Sequence, residues 1–228
     1  MAELILALDL PTPEAAFRLL DGVPDARWVK VGPILFTRQG PALVRQLRAR
    51  GLSVFLDLKW HDIPNTVAGA VEAAVEEGVE LVTVHTLGGL AMMTAAARAA
   101  AGRLAIVGVT VLTSHDREGF EGVLGRPIDD LQVEVVRLAG AASASGLQGV
   151  VCSPHEIRVV RGALPPRAWV VVPGIRRMED SAGDQVRTAG PGAAAAAGAT
   201  HLVVGRPILQ AADPGAVFRA MAREAEGT

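Results

Sequence analysis

Asp57-Leu-Lys59-Trp-His-Asp62-Ile-Pro-Asn65-Thr66 concentrates charged side chains at a spacing that can do chemistry. Asp57 and Lys59 stand two apart, so in a strand their side chains leave the same face. Asp62 follows where the chain enters a helix, and Lys30 ends the preceding strand candidate, beside Asp57. The expected result is an alternating Lys-Asp-Lys-Asp array. Taking such charges out of water costs several kcal/mol per ion unless their geometry is excellent. A salt-bridge network that only holds strands in register is the plain alternative. A preorganised array of this kind suits the stabilisation of a developing negative centre. Carboxylates on both sides of Lys59 favour its charged form, as suits a general acid better than an amine nucleophile. Asp57, near ammonium groups, should stay ionised. Composition points to the same run. Of 22 basic residues only Lys30 and Lys59 are lysines, and Asn65 is the sole asparagine. Arginine supplies charge elsewhere, but a guanidinium does not release its proton at ordinary pH.

A second group of residues suits an anion. Val172-Pro-Gly-Ile-Arg176 and Val203-Val-Gly205-Arg206 follow the last two strand candidates. In an eight-stranded barrel these two loops commonly bind phosphate. Gly205 lets backbone approach the anion, and Arg206 offers a bidentate partner. The loop 176–190 contains Gln185 and is long enough to serve as a lid. Thr113 is a further candidate ligand contact. Ser114-His115-Asp116 has the residue types of a hydrolase triad but no nucleophile elbow, and is read as coincidence.

The elements that must position these residues alternate regularly. Strand candidates are Leu4–Leu8, Trp28–Val31, Ser53–Leu58, Leu81–His85, Leu104–Val111, Gly149–Cys152, Trp169–Val172 and His201–Val204. They are near-continuous apolar runs, as expected of parallel strands covered by helices. Thr12-Pro13, Ile63-Pro64 and Asp213-Pro214 open helices, and Gly78 closes one. Eight β-then-α units without a linker predict a single (β/α)₈ TIM barrel over 1–228. Its site lies at the strand C-termini, where Asp9, Lys30, Asp57, Lys59, His85, Thr113, Arg176 and Arg206 gather. An open dinucleotide-binding sheet is disfavoured, because Asp9-Leu-Pro follows the first strand in place of a Gly-rich turn.

The bulk numbers exclude several partners. A net charge of −2 with 4% aromatic residues argues against nucleic acid. One cysteine rules out an intramolecular disulfide, and no Cys/His spacing resembles a zinc site. With no signal-like N-terminus and no apolar run of about 18 residues, a soluble cytoplasmic protein is expected, with no membrane partner. No cofactor motif is visible.

Taken together, the run 57–66 resembles the signature of the orotidine 5′-phosphate decarboxylase family. So do Leu6-Ala-Leu-Asp9, Val29-Lys-Val-Gly32, Thr110-Val-Leu-Thr-Ser114, Pro173-Gly-Ile-Arg176, Asp184-Gln185 and Val204-Gly-Arg206. The resemblance implies cofactor-free, metal-free conversion of orotidine 5′-monophosphate to UMP and CO₂. It implies that Lys59 gives a proton to C6 and that Asp57 lies against the departing carboxylate. Asp9 and Lys30 would hold the ribose, Thr113 the pyrimidine, and Arg176, Gln185, Gly205 and Arg206 the phosphate. Asp62 and Thr66 would reach into a partner's site, which implies a homodimer. Metal-dependent sugar-phosphate decarboxylases or aldolases share Asp-x-Lys-x-x-Asp but carry a carboxylate where Lys30 stands. A non-catalytic nucleotide-phosphate binder is the other alternative.

Overall fold

Six α-helices begin on proline, which locks φ at a helical value where the missing N–H costs nothing. In the computed structural model, which describes residues 2–177 and 188–227, these are Pro13, Pro33, Pro41, Pro64, Pro191 and Pro214. The chain runs β1 (Glu3–Ala7), α1 (Pro13–Asp21), β2 (Trp28–Val31), α2 (Pro33–Gln39), α3 (Pro41–Ala49), β3 (Ser53–Trp60) and α4 (Pro64–Glu76). It continues through β4 (Leu81–His85), α5 (Gly89–Ala100), β5 (Ala105–Val109), α6 (Arg117–Leu124), α7 (Leu131–Ala144), β6 (Gly149–Val151) and α8 (Ile157–Ala163). The last elements are β7 (Trp169–Val172), α9 (Pro191–Ala197), β8 (His201–Val204), α10 (Arg206–Leu209) and α11 (Pro214–Glu226). All eight strands pair in parallel in sequence order, and β8 closes on β1 with Glu3 opposite His201. The fold is a (β/α)₈ barrel.

Two expectations needed correction. The fifth strand is Ala105–Val109, shorter than 104–111, whereas β3 runs on to Trp60. Helices also outnumber strands. Gly40, at φ +58, ends α2 and passes the chain to Pro41, so the β2–β3 connection carries two helices where one was expected. The β5–β6 connection and the segment after β8 are likewise divided. Thr12 and Asp213 cap α1 and α11 as expected, and Gly78 turns the chain at φ +71 after α4. Asp116 caps α6 through Gly119 N–H (2.8 Å), which gives the carboxylate of the triad-like Ser114-His115-Asp116 a structural task.

The core has two parts. Aliphatic residues between strands and helices form the larger one, while Ile5, Ala7, Phe55, Leu81, Val107, Val171 and Val203 fill the barrel interior. At the N-terminal ends of the strands, side chains complete hydrogen bonding that the short ladders leave open. Glu80 accepts from Val54 N–H (2.7 Å), Gln148 from Ile106 N–H (2.7 Å) and Thr200 from Val170 N–H (2.9 Å). Among the described residues, no helix is long and apolar enough to cross a membrane.

Trp28, Trp169 and His201 close the barrel floor, with the Trp169 and His201 rings 4.3 Å apart. Burial pushes the His201 pKa down to about 4. A histidine held neutral in the fold but free to protonate when unfolded contributes nothing above about pH 6.5 and costs increasing stability as the pH drops toward 4. The term is at most about 3 kcal/mol. His201→Phe should therefore lose less stability than wild type between pH 7 and pH 4 in urea denaturation. Identical acid sensitivity in the two proteins would remove His201 as the cause.

Candidate active site

The strand C-termini surround a cavity of about 460 Å³, within the usual range for small-molecule sites. Inward-facing strand positions supply its apolar wall, through Ala7, Phe55, Val109, Val151, Val171 and Val203. Its polar lining is brought by different strands: Asp9 after β1, Lys30 on β2, Asp57 and Lys59 on β3, and Thr113 after β5. Arg176 follows β7, and Gly205 and Arg206 follow β8. The charges expected on one rim thus meet around one cavity, with the lysine–aspartate groups on the β1–β3 side and the arginines beside β7 and β8.

Asp57 lies at the centre of the array. Its Oδ1 is 2.9 Å from Lys59 Nζ, and its Oδ2 is 3.6 Å from Lys30 Nζ. Lys30 donates to Asp9 Oδ1 at 2.9 Å. Lys30 and Asp57 are both buried. For Asp57, burial is the largest single influence and pushes the pKa up. The ammonium groups of Lys30 and Lys59, with hydrogen bonds from Lys59 and Thr83, outweigh it and hold the carboxyl below its ordinary value. Lys30 mirrors this: burial opposes its charge, yet Asp57 and Asp9 raise its pKa above the ordinary value. Each buried ion is therefore kept charged by its neighbours. Gly32 leaves room for this pairing, because a Cβ there would sit 3.1 Å from Asp9 Oδ1 and 3.2 Å from Lys30 Nζ.

Asp57 and Lys59 converge as expected, but not by plain strand alternation. Leu56 pairs with Val82 and Trp60 with Val84, so β3 takes four steps while β4 takes two. The surplus is accommodated in a bulge in which Lys59 adopts φ +50, a conformation uncommon outside glycine. Lys59 N–H donates to Thr83 Oγ1 (2.8 Å), and Thr83 Oγ1 lies 3.0 Å from Asp57 Oδ1. The sequence reading missed Thr83. Its one available signal was a hydroxyl within the apolar run Leu-Val-Thr-Val of β4.

Among the described residues, Asp62, Thr66 and His85 do not line the cavity. Asp62 is exposed, and its Oδ1 accepts from Ile63 N–H at 2.6 Å. Thr66, in the first turn of α4, is also exposed, and neither residue lines the cavity of its own chain. Gln185, and with it most of the expected lid, lies outside the described residues. His85 faces another environment: its Nδ1 accepts from Leu87 N–H and its ring stacks on His61 with centroids 5.6 Å apart. Burial, reinforced by His61, Lys59 and His115, lowers its pKa to about 4. Among the described residues there is no cluster of three or more His, Cys, Asp or Glu side chains that could hold a metal ion.

Fold and cavity together define a (β/α)₈ barrel with a charged small-molecule site at its C-terminal face. The family model of the orotidine 5′-phosphate decarboxylase / HUMPS family matches residues 2–221. The chain is 52% identical over 229 residues to a Halorhodospira halophila protein named orotidine 5′-phosphate decarboxylase, covering 97% of this chain and 94% of that protein. It is 46% identical over 233 residues to a Moorella thermoacetica protein of the same name, covering 98% and 92%. A crystal structure of orotidine 5′-phosphate decarboxylase from Lactobacillus acidophilus superimposes with a TM-score of 0.88 at 33% identity, covering 99% of both chains. This chain belongs to the orotidine 5′-phosphate decarboxylase / HUMPS family.

Because each buried ion depends on its partners, removing one should cost stability as well as function. Lys30→Met leaves Asp57 with Lys59 and Thr83 alone, and is expected to lower unfolding free energy by about 3 kcal/mol. Urea denaturation without ligand measures this. A loss below about 1 kcal/mol, the worth of an exposed pair, would mean that Lys30 does not support Asp57 in the fold.

Proposed function

We propose that this protein decarboxylates orotidine 5′-monophosphate to UMP and CO₂ without a cofactor, as its relatives' names suggest. The observation that carries the reading is the Asp57–Lys59 pair at 2.9 Å in the cavity wall, with arginines at the other side of the same cavity. The bond from C6 to the carboxylate breaks, CO₂ leaves, and the electron pair remaining at C6 takes a proton from Lys59 Nζ. Asp57, held ionised by Lys30 and Lys59, lies against the substrate carboxylate. Lys30 and Asp9 hold the ribose hydroxyls, and Thr113 contacts the pyrimidine. Arg176, Arg206, Gly205 and Gln185 bind the phosphate, whose remote binding energy favours the reactive arrangement.

We further infer a homodimer in which Asp62 and Thr66 complete the partner's site. Both are exposed in their own chain. Ile34, Ile63 and Leu90, which follow the adjacent strands β2, β3 and β4, are 53%, 67% and 57% exposed. Exposed large apolar side chains that follow the site-bearing strands, Ile63 among them next to Asp62 in sequence, support a shared interface.

Loss of orotidine 5′-monophosphate absorbance tests the activity. Lys59→Ala and Lys59→Arg should each lower turnover by about 10²- to 10⁴-fold or more while the fold is retained. Arginine keeps the charge but not a transferable proton. Activity should persist in EDTA; a metal requirement would favour the sugar-phosphate chemistry of metal-dependent relatives. Binding of UMP without any turnover of orotidine 5′-monophosphate would leave a nucleotide-phosphate binder.

For the dimer, mixing inactive Lys59→Ala with inactive Asp62→Ala and allowing subunit exchange should restore activity, because one site in the hybrid carries both intact residues. No recovery after demonstrated exchange would defeat the shared-site arrangement.

A further inference from the structure

The β3 bulge raises an accounting question. Two surplus residues cannot both remain in the ladder with β4, and a buried N–H without an acceptor is costly. Lys59, the residue in the left-handed conformation, contributes that stray N–H. A non-glycine residue persists at such a φ only where its surroundings hold it there. The group that meets it belongs to a side chain: Thr83 Oγ1, at 2.8 Å, on a residue only 1% exposed.

The hydrogen-bond chemistry of Thr83 leaves one arrangement. A backbone N–H can only donate, so the hydroxyl oxygen must accept from Lys59. Its single proton is then free to point at Asp57 Oδ1, 3.0 Å away. That same Oδ1 receives Lys59 Nζ at 2.9 Å. One hydroxyl therefore ties the backbone of Lys59 to the carboxylate that its own ammonium contacts. The three groups form a closed loop: Lys59 N–H to Thr83, Thr83 to Asp57, and Asp57 to Lys59 Nζ. Thr83 does not line the cavity, and its hydroxyl meets the reacting region through these two residues.

We propose that Thr83 is a positioning residue of this site, holding the Lys59 bulge and the Asp57 carboxylate in register with each other. The proposal rests on the decarboxylase reading for its kinetic readout, but its geometry does not. The hydroxyl has two jobs that valine, of nearly the same shape, cannot perform and that serine can. Because Thr83 supports the reacting pair and not the phosphate or ribose contacts, its loss should be felt in turnover more than in binding. A displacement of about 1 Å at reacting groups can cost about a hundredfold in rate.

The test is a comparison of wild type, Thr83→Val, Thr83→Ala and Thr83→Ser with orotidine 5′-monophosphate, together with thermal unfolding and UMP affinity. Thr83→Val is expected to lower kcat by about tenfold or more, with KM and UMP affinity within about threefold of wild type. Thr83→Ser should restore kcat to within about threefold of wild type. Thr83→Ala, which also lacks the hydroxyl, should follow Thr83→Val and serves in its place if the valine variant does not fold. A kcat within twofold of wild type in the folded hydroxyl-free variant overturns the proposal. So does a serine variant as impaired as the valine variant. If wild type itself has no turnover, the decarboxylase reading fails separately, and crystal structures then decide. Thr83→Val or Thr83→Ala retaining both the positive φ of Lys59 and its contact with Asp57 overturns the positioning role; loss of either supports it.

Discussion

A buried carboxylate between two ammonium groups is the constraint on which the rest of this molecule depends. Asp57 lies where water is scarce, and burial alone would drive it toward its neutral form. Lys59 at 2.9 Å and Lys30 at 3.6 Å reverse that outcome. Lys30 in turn is held charged by Asp57 and by Asp9. Such a cluster is stable only if all its members arrive within hydrogen-bonding or ion-pair distance, since an unpaired member carries its desolvation cost unopposed. The barrel meets that demand by delivering one or two of the groups from each of three adjacent strands. Parallel strands with helices outside place their C-terminal ends around one mouth, where charges from distant parts of the sequence become neighbours.

The array also explains why β3 departs from regular pairing. A straight continuation beside β4 would keep one residue opposite each partner. The bulge places Asp57, Leu58 and Lys59 across from Thr83 and returns to register only at Trp60. That detour puts Lys59 at φ +50 and detaches its N–H from the backbone ladder. Local backbone strain is thereby exchanged for a fixed approach of the ammonium to Asp57. The apolar interior beneath, from Phe55, Val171, Val203 and their neighbours, gives these groups a rigid base and an environment in which charge–charge interactions are strong.

Much of the barrel was legible because parallel strands buried on both faces must be continuous apolar runs, and all eight runs became strands. Proline and glycine positions also spoke for themselves, as at Pro13, Pro64 and Gly78. The divided helices were less legible, since Gly40-Pro41 can end one helix and begin another without any break in composition. Charged candidates were found because ions at strand ends are unusual enough to be noticed. Thr83 was overlooked for the opposite reason: a threonine in a strand is ordinary, and only its neighbours in space give its hydroxyl a particular task.

By itself the amino-acid sequence determined the alternation of elements, the closed-barrel architecture, the lysine–aspartate spacing and the family to which the chain belongs. These follow from local rules: apolar periodicity, helix-start chemistry, and a dense run of chemically distinctive residues. Tertiary structure alone decided how Asp57 and Lys59 come together, that Lys30 sits closer to Asp9 than to Asp57, and that Asp62 and Thr66 are exposed and do not line their own cavity. The physical reason is that register across a barrel, and the direction a side chain takes from a bulged strand, depend on partners far away in the chain. No local spacing encodes a hydroxyl on β4 that holds a backbone N–H on β3.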